Sequence, residues 1–212
     1  GLDILNQVAQ VDQRIGLSED ELVGIIGEYD GLMIRSGTQV TATVIAAASR
    51  LKIIGRAGVG VDNVDVPAAT QRGVLVVNSP EGNTIAAAEH ALAMMLSLSR
   101  HVPQANAGMR AGKWDRKKYV GNELYKKTLG VVGLGKIGSH VAKVAQAMGM
   151  DVIAYDPFIA ADRAKQMQVK LIELDELFRT ADYVTLHIPR TKDTENLVNA
   201  DLLRTMKPTA RI

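Results

Sequence analysis

The sequence predicts an α/β protein built on parallel sheets. Short β-branched runs alternate with helical patterns along the 212 residues, and turn-forming and helix-capping residues separate them. One glycine-rich turn also joins a strand pattern directly to a helix pattern. This alternation favours parallel strands, because each connection between neighbouring parallel strands must cross over the sheet.

The first 83 residues carry the first series of these elements. Ser18 and Glu21 form a capping box that predicts a short helix after Ser18. Turn formers at 78–83 then interrupt the regular pattern, so we expect a domain boundary there and a first domain of residues 1–83. The periodicity predicts strands at 31–34, 51–54 and 74–77, and helices at 40–48 and 66–71.

Residues 84–212 carry the second series. An apolar helix should run from Thr84 to about Arg100, either as a bridge between two domains or as an ordinary core helix. The basic, aromatic segment 113–119 follows, and it either covers a partner subunit or is a solvated surface. Further strands are predicted at 129–132, 151–155, 169–172 and 183–188, and helices at 174–178, 200–206 and directly behind the glycine turn.

The glycine run 133–138 is the most informative segment of the chain. It follows the strand 129–132 and opens a helix that ends at Gly149. We expect Gly133 to permit the tight turn, Gly135 to let backbone amides approach a diphosphate, and Gly138 to leave room where helix meets strand. The free amides and the positive dipole end of the helix favour a phosphate anion at this turn.

Asp156 follows the next strand and completes the pattern of a dinucleotide-binding turn. Its carboxylate can accept both hydroxyls of the adenosine ribose, and it would repel a 2′-phosphate. Pro157 and Phe158 follow it, rather than an arginine, so NAD is favoured over NADP. A glycine turn that merely joins strand to helix is the alternative, but strand, helix, second strand and acid in register favour nucleotide binding. Residues 84–212 are therefore expected to form a Rossmann-like, doubly wound NAD-binding domain.

Composition narrows the possible partners. The net charge is +2, from 25 basic and 23 acidic residues without a long block of one sign, which argues against nucleic-acid and membrane partners. The absence of cysteine excludes disulfides and zinc-thiolate sites and is compatible with a reducing cytoplasm. The four histidines form no short metal motif. The chain lacks an initial Met and ends where a strand is expected, so we interpret it as a fragment of a longer protein.

Several segments resemble the D-2-hydroxyacid dehydrogenase family. They are the runs 55–63 and 78–84, the glycine turn, and Tyr155-Asp156-Pro157. The segments 35–38 and 114–123 are most similar to members that act on 3-phosphoglycerate. The resemblance implies NAD-linked oxidation of 3-phosphoglycerate to 3-phosphohydroxypyruvate, the first step of serine biosynthesis, by a cytoplasmic homodimer or homotetramer. It also implies a flavodoxin-like α/β substrate domain beside the Rossmann-like domain, both incomplete in this chain.

The resemblance also assigns residues to the two ligands. A substrate with a carboxylate and a phosphate needs cations and amide donors, and an arginine can bind either oxyanion bidentately. A single arginine at a strand end is usually just a solvated side chain. Two arginines, at equivalent ends of two strands, weaken this alternative. The resemblance implies substrate contacts from Arg35, Arg56, Gly58 and Asn83, and cofactor contacts from Val59, Lys136, Ile137 and Ile188 in addition to the three glycines and Asp156.

None of the four histidines is expected to be catalytic. His90 and its neighbour Glu89 point about 100° apart on a helix, and His187 at a strand end is more typical of a structural or cofactor-packing role. The resemblance places the catalytic Arg, Glu and His beyond Ile212, so we expect the chain to be inactive by itself. The alternatives are a hydroxypyruvate or glyoxylate reductase on the same scaffold and an NAD-sensing, corepressor-like binding protein.

Overall fold

The computed structural model describes residues 2–212, and the chain divides into two compact units, Gly1–Asn83 and Thr84–Ile212. Both units are α/β, and every strand pair in them is parallel, as the alternating sequence pattern predicts. Within the described residues, no helix is long and apolar enough to cross a bilayer.

The first unit is built on a three-stranded sheet with the strand order β1-β2-β3. Its strands are β1 (Gly31–Ile34), β2 (Ile53–Arg56) and β3 (Leu75–Asn78). Its helices are α1 (Leu2–Leu5), α2 (Glu19–Ile25), α3 (Ala42–Ala47) and α4 (Val66–Gln71), and a 3₁₀ turn spans Ile26–Glu28.

Two helix starts in this unit show how local side chains set the boundaries. The capping box before α2 is confirmed, because Ser18 accepts from the Glu21 N–H and the Glu21 carboxylate accepts from the Ser18 N–H. The predicted start of α3 at Val40 is wrong. Thr41 caps this helix by accepting from the Val44 N–H, while Val40 pairs with Val64 in a parallel bridge instead.

The core of the first unit lies on one face of its sheet. Ile34 and Ile54 point from the strands into a cluster completed by residues of α2, α3 and α4, among them Leu22 and Val44. Successive side chains of a strand alternate between faces. The opposite face therefore carries the other set of strand residues, and four of them are exposed apolar side chains: Met33, Ile53, Leu75 and Val77.

The second unit is built on a four-stranded sheet with the strand order β6-β5-β4-β7. Its strands are β4 (Thr128–Val132), β5 (Asp151–Tyr155), β6 (Lys170–Leu171) and β7 (Tyr183–Leu186). Its helices are α5 (Thr84–Arg100), α6 (Val102–Arg110), α7 (Lys136–Ala147), α8 (Ala161–Gln166), α9 (Leu174–Thr180) and α10 (Ala200–Arg204), and a 3₁₀ turn spans Arg116–Tyr119.

Helices cover both faces of this second sheet. On one face, Leu92 of α5 and Val141 of α7 pack against strand residues such as Val131. On the other face, Phe178 of α9 packs with Val184 of β7, and α10 joins the same cluster. Strand β4 is therefore buried on both sides, and the unit has the doubly wound arrangement that the sequence predicts for a Rossmann-like domain.

Candidate functional site

The glycine turn follows the central strand β4 and is packed against the end of β7. Gly133 has φ +92°, a left-handed conformation that side chains rarely adopt. A Cβ at Gly133 would lie 2.6 Å from the His187 carbonyl oxygen and 2.8 Å from Cγ2 of Ile188. Its N–H donates to the Tyr155 carbonyl at 2.8 Å, so the turn bridges the ends of β5 and β7.

Gly138 lies on the first turn of α7 and allows the helix to pack directly on the glycine turn. A Cβ at Gly138 would overlap the Gly133 carbonyl oxygen and approach Cγ1 of Val131 to 3.3 Å. Gly138 is buried. Gly138 therefore fixes the amino end of α7 over the end of strand β4.

Gly135 differs from the other two glycines because a side chain at this position would point into open space. It is the N-cap residue of the 12-residue helix α7, and a Cβ there would meet no protein atom within 4 Å. The first amides of a helix point outward along its axis and lack partners within the helix. Open space beside these amides fits a diphosphate, whose oxygens would accept from them without meeting a side chain.

Asp156 connects the glycine turn to the loop after β5. Its Oδ2 accepts from the Leu134 N–H at 2.7 Å, and its Oδ1 accepts from the N–H groups of Phe158 at 2.9 Å and Ile159 at 3.1 Å. A carboxylate has about four acceptor positions, and backbone amides occupy three of them. The room left for ribose hydroxyls is thus smaller than the sequence interpretation of Asp156 assumed.

The other predicted cofactor residues of this unit surround the same turn. Lys136 is exposed at the start of α7, and Ile137 is half-buried and packs against the core. Ile188 is half-buried beside Gly133. His187 precedes it, with Nε2 3.0 Å from Oγ1 of Thr185, and burial lowers the pKa of His187 and favours the neutral ring.

The two predicted substrate arginines lie at the same edge of the first sheet. Arg35 directly follows β1 and is exposed, whereas Arg56 is the last residue of β2 and half-buried. The Arg56 guanidinium lies over Gly58, where a Cβ would overlap it, and its buried Nε has no hydrogen-bond partner among the described residues. The carboxyl ends of the neighbouring parallel strands β1 and β2 therefore place both residues at one edge of the sheet.

Two asparagines in the first unit hold the loops that carry these residues, and neither was predicted as part of a site. Asn63 is buried and donates from Nδ2 to the carbonyls of Arg35 at 2.9 Å and Thr38 at 2.6 Å. Asn78 donates to the carbonyl of Val59 at 2.6 Å. The signal in the sequence is that both residues lie in the runs 55–63 and 78–84 that carry the family resemblance. Asn83, by contrast, is the exposed last residue of this unit.

The histidines do not form a metal-binding cluster in the described part of the chain. His90 is exposed on α5, and His101 has φ +54° where α5 gives way to α6. His140 is half-buried on α7.

The Arg211 guanidinium lies 5.5 Å from the centre of the Tyr183 ring, in a stacking contact typical of structural packing.

Comparison with known proteins gives one relative and two structures of particular use. D-3-phosphoglycerate dehydrogenase of Synechocystis sp. (strain ATCC 27184 / PCC 6803 / Kazusa) is 66% identical over all 212 residues, which correspond to 38% of that protein. The TT0316 protein of Thermus thermophilus aligns with a TM-score of 0.89 at 34% identity, covering 97% of this chain and 67% of that one. D-lactate dehydrogenase from Aquifex aeolicus, complexed with NAD and lactic acid, aligns with a TM-score of 0.80 at 30% identity, covering 87% and 56%.

These similarities agree with the geometry of the second unit. The chain spans less than two fifths of the length of the Synechocystis relative. The sequence model described as D-isomer specific 2-hydroxyacid dehydrogenase, NAD binding domain, matches residues 92–212, which include the glycine turn and Asp156. The chain therefore belongs to the D-isomer specific 2-hydroxyacid dehydrogenase family, and its second unit is the NAD-binding domain of that family.

Proposed function

We propose that the full-length protein oxidises 3-phosphoglycerate to 3-phosphohydroxypyruvate with NAD, the first step of serine biosynthesis. The name of the 66% identical relative supports this substrate. The structural observation that carries the proposal is the pair Arg35 and Arg56 at neighbouring strand ends, because a substrate with two oxyanions needs a cation for each.

The substrate is held by the first unit in this proposal. Arg35 and Arg56 bind its carboxylate and phosphate, and the unpaired Nε of Arg56 is a donor that an oxyanion would satisfy. Backbone amides around Gly58 and the side-chain amide of Asn83 add donors. Binding at these positions orients the hydroxyl-bearing carbon for reaction.

In this proposal the cofactor is held by the second unit. NAD, when bound, would supply a hydride acceptor for the carbon that bears the substrate hydroxyl. Gly133, Gly135 and Gly138 shape the diphosphate site. The remaining acceptor position of Asp156 binds the adenosine ribose and disfavours a 2′-phosphate, while Lys136, Ile137 and Ile188 line the cofactor.

None of the histidines of this chain is assigned the proton-transfer step. His187 is the one that lies beside the glycine turn, and its Nε2 is engaged with the Thr185 hydroxyl. In this proposal the His187 ring has a structural role beside Ile188. The base that takes the substrate hydroxyl proton belongs, in this proposal, to the remainder of the full-length protein.

A steady-state assay of the full-length protein tests the proposed reaction. At least one of Arg35→Ala and Arg56→Ala should raise KM for 3-phosphoglycerate about ten-fold more than KM for unphosphorylated glycerate, because the charge-assisted bidentate contact with the phosphate is lost. Arg50→Ala is the matched control, since the Arg50 side chain pairs with Asp30 before β1, at the amino edge of the same sheet.

Two outcomes of this assay would contradict the proposal. Equal losses for phosphorylated and unphosphorylated substrates in both variants would remove the phosphate assignment and favour another 2-hydroxy acid. NADH binding without any turnover by the full-length protein would favour a sensor instead of an enzyme.

We further propose that the protein self-associates through the second unit and acts in the cytoplasm. Met94 and Leu98 of α5 are 60% and 48% exposed, and their spacing of four residues places them on one helix face. Trp114 is also largely exposed, in the basic segment 113–119. Exposed apolar side chains of this kind are typical of an interface between subunits, and the cysteine-free sequence suits a reducing compartment.

A further inference from the structure

Asn63 is one of two buried polar residues in the described part of the chain, with 4% of its surface exposed. Its Nδ2 uses both hydrogens within the loop that follows β1, donating to the carbonyls of Arg35 at 2.9 Å and Thr38 at 2.6 Å. A single side-chain amide therefore spans the loop 35–38 from its first residue to its last.

The backbone around Asn63 is fixed to the chain directly after this loop. The Val40 N–H donates to the Asn63 carbonyl at 2.8 Å, and the Asp65 N–H donates to the Val40 carbonyl at 2.9 Å. Val40 and Val64 are both buried in the core of the first unit. The Asn63 amide consequently has a rigid base from which to hold a loop whose own residues are mostly exposed.

The unpaired oxygen of Asn63 indicates that its side-chain amide serves the loop 35–38. Oδ1 of Asn63 is buried without a hydrogen-bond partner in the described residues, and an unpaired buried polar atom destabilises the folded state. An apolar residue at this position would avoid that cost, but it would leave the two loop carbonyls without their shared donor. The polar side chain is thus explained by the loop that it holds.

We propose that Asn63 is a positioning residue for substrate binding, which holds the 35–38 loop so that Arg35 meets the anionic substrate at the edge of the sheet. This inference rests on the proposed function, because it needs Arg35 to bind substrate. Asn63 itself touches no substrate. It acts by fixing the backbone from which the exposed Arg35 side chain extends, and so reduces the freedom lost on binding.

A double-mutant cycle on the full-length enzyme tests this coupling. Asn63→Ala should raise KM for 3-phosphoglycerate about five-fold, with kcat within about two-fold and NADH affinity unchanged. In the Arg35→Ala background, the same substitution should raise KM further by less than about 1.5-fold, because the side chain through which Asn63 acts is gone. Asn78→Ala is the matched control, since it removes a similar side-chain hydrogen bond to a loop carbonyl, that of Val59. Its effect on KM should multiply with that of Arg35→Ala.

The outcomes separate this inference from the proposed function. If Arg35→Ala leaves KM unchanged, the proposed role of Arg35 fails. If Arg35→Ala raises KM but the effects of Asn63→Ala and Arg35→Ala multiply in full, Arg35 binds substrate and the positioning role is overturned. Should Asn63→Ala not fold, the cycle is run with Asn63→Ser, which keeps a hydroxyl. If neither variant folds, Asn63 is a purely structural residue and the proposal is wrong.

Discussion

The Leu134 N–H donates a 2.7 Å hydrogen bond to the Asp156 carboxylate, and this contact joins the glycine turn to the end of the neighbouring strand. The residue proposed to bind ribose is therefore also a structural support of the turn proposed to bind diphosphate. Substitution of Asp156 should affect both ends of the cofactor site. Asp156→Asn, which keeps one oxygen acceptor, should weaken cofactor binding less than Asp156→Ala.

Adding one methyl group at Gly138 or at Gly135 tests the stability of the fold and the cofactor site separately. Gly138→Ala should lower the free energy of unfolding by about 2–3 kcal/mol, because its Cβ would overlap the Gly133 carbonyl. Gly135→Ala should keep the free energy of unfolding within about 1 kcal/mol, because the space there is open. Urea unfolding of the full-length protein measures both values.

NADH titration of the same two variants completes this comparison. Gly135→Ala should weaken NADH binding at least about ten-fold, since its methyl group would occupy the space proposed for the diphosphate. A Gly135→Ala variant that binds NADH as tightly as the wild type would contradict this position for the diphosphate. A Gly138→Ala variant of undiminished stability would contradict the close packing of α7 on the turn.

His187 should make the folded state sensitive to mildly acidic pH. Its pKa lies below the ordinary value of 6.5 because burial disfavours the charged ring, so the unfolded state binds more protons in the window below 6.5. This contribution to stability is complete above about pH 6.5 and is lost as the pH falls towards the pKa of the folded state.

The unfolding free energy measured between about pH 5 and pH 8 tests the role of His187. His187→Gln removes the titrating group, so the variant should lose less stability than the wild type as the pH falls from about 6.5. An identical pH dependence in variant and wild type would show that the neutral His187 ring makes no such contribution.

Self-association should depend on the exposed face of α5. Replacing both Met94 and Leu98 by Glu places two charges on the proposed interface, and their burial would be costly. Sedimentation velocity of the full-length protein should then show a smaller species than the wild type. Leu203→Glu, at an exposed position on α10, is the control and should leave the sedimentation coefficient unchanged. Wild-type behaviour of the double variant would exclude this face.

The elements with strong local signals were predictable from the sequence. β1, β5, α4 and α5 begin and end where the periodicity placed them, and the start of α2 follows from its capping box. The helix α8 was missed because it is mostly polar and buries only Ala164, which leaves no apolar periodicity to detect. Strand β6 is shorter than predicted for a similar reason, since its signal is only a short apolar run.

The candidate site was predictable only in part. Glycine spacing located the turn, because each glycine answers a steric requirement within a few residues of itself. The amide clamps of Asn63 and Asn78 depend on contacts with loops 19 to 28 positions away, and no local pattern predicts such contacts. The backbone amides on Asp156 were missed as well, although an Asp side chain in a turn often accepts from the amides just after it, as Asp156 does from Phe158 and Ile159.

The most direct test of the central claim is a titration of the full-length protein with NADH and with NADPH, repeated for Asp156→Ala. The wild type should bind NADH at least about ten-fold more tightly than NADPH, because the Asp156 carboxylate would face the 2′-phosphate. Asp156→Ala should weaken NADH binding and reduce that preference. Equal binding of the two cofactors by the wild type, or an unchanged NADH affinity in Asp156→Ala, would contradict the proposed cofactor site.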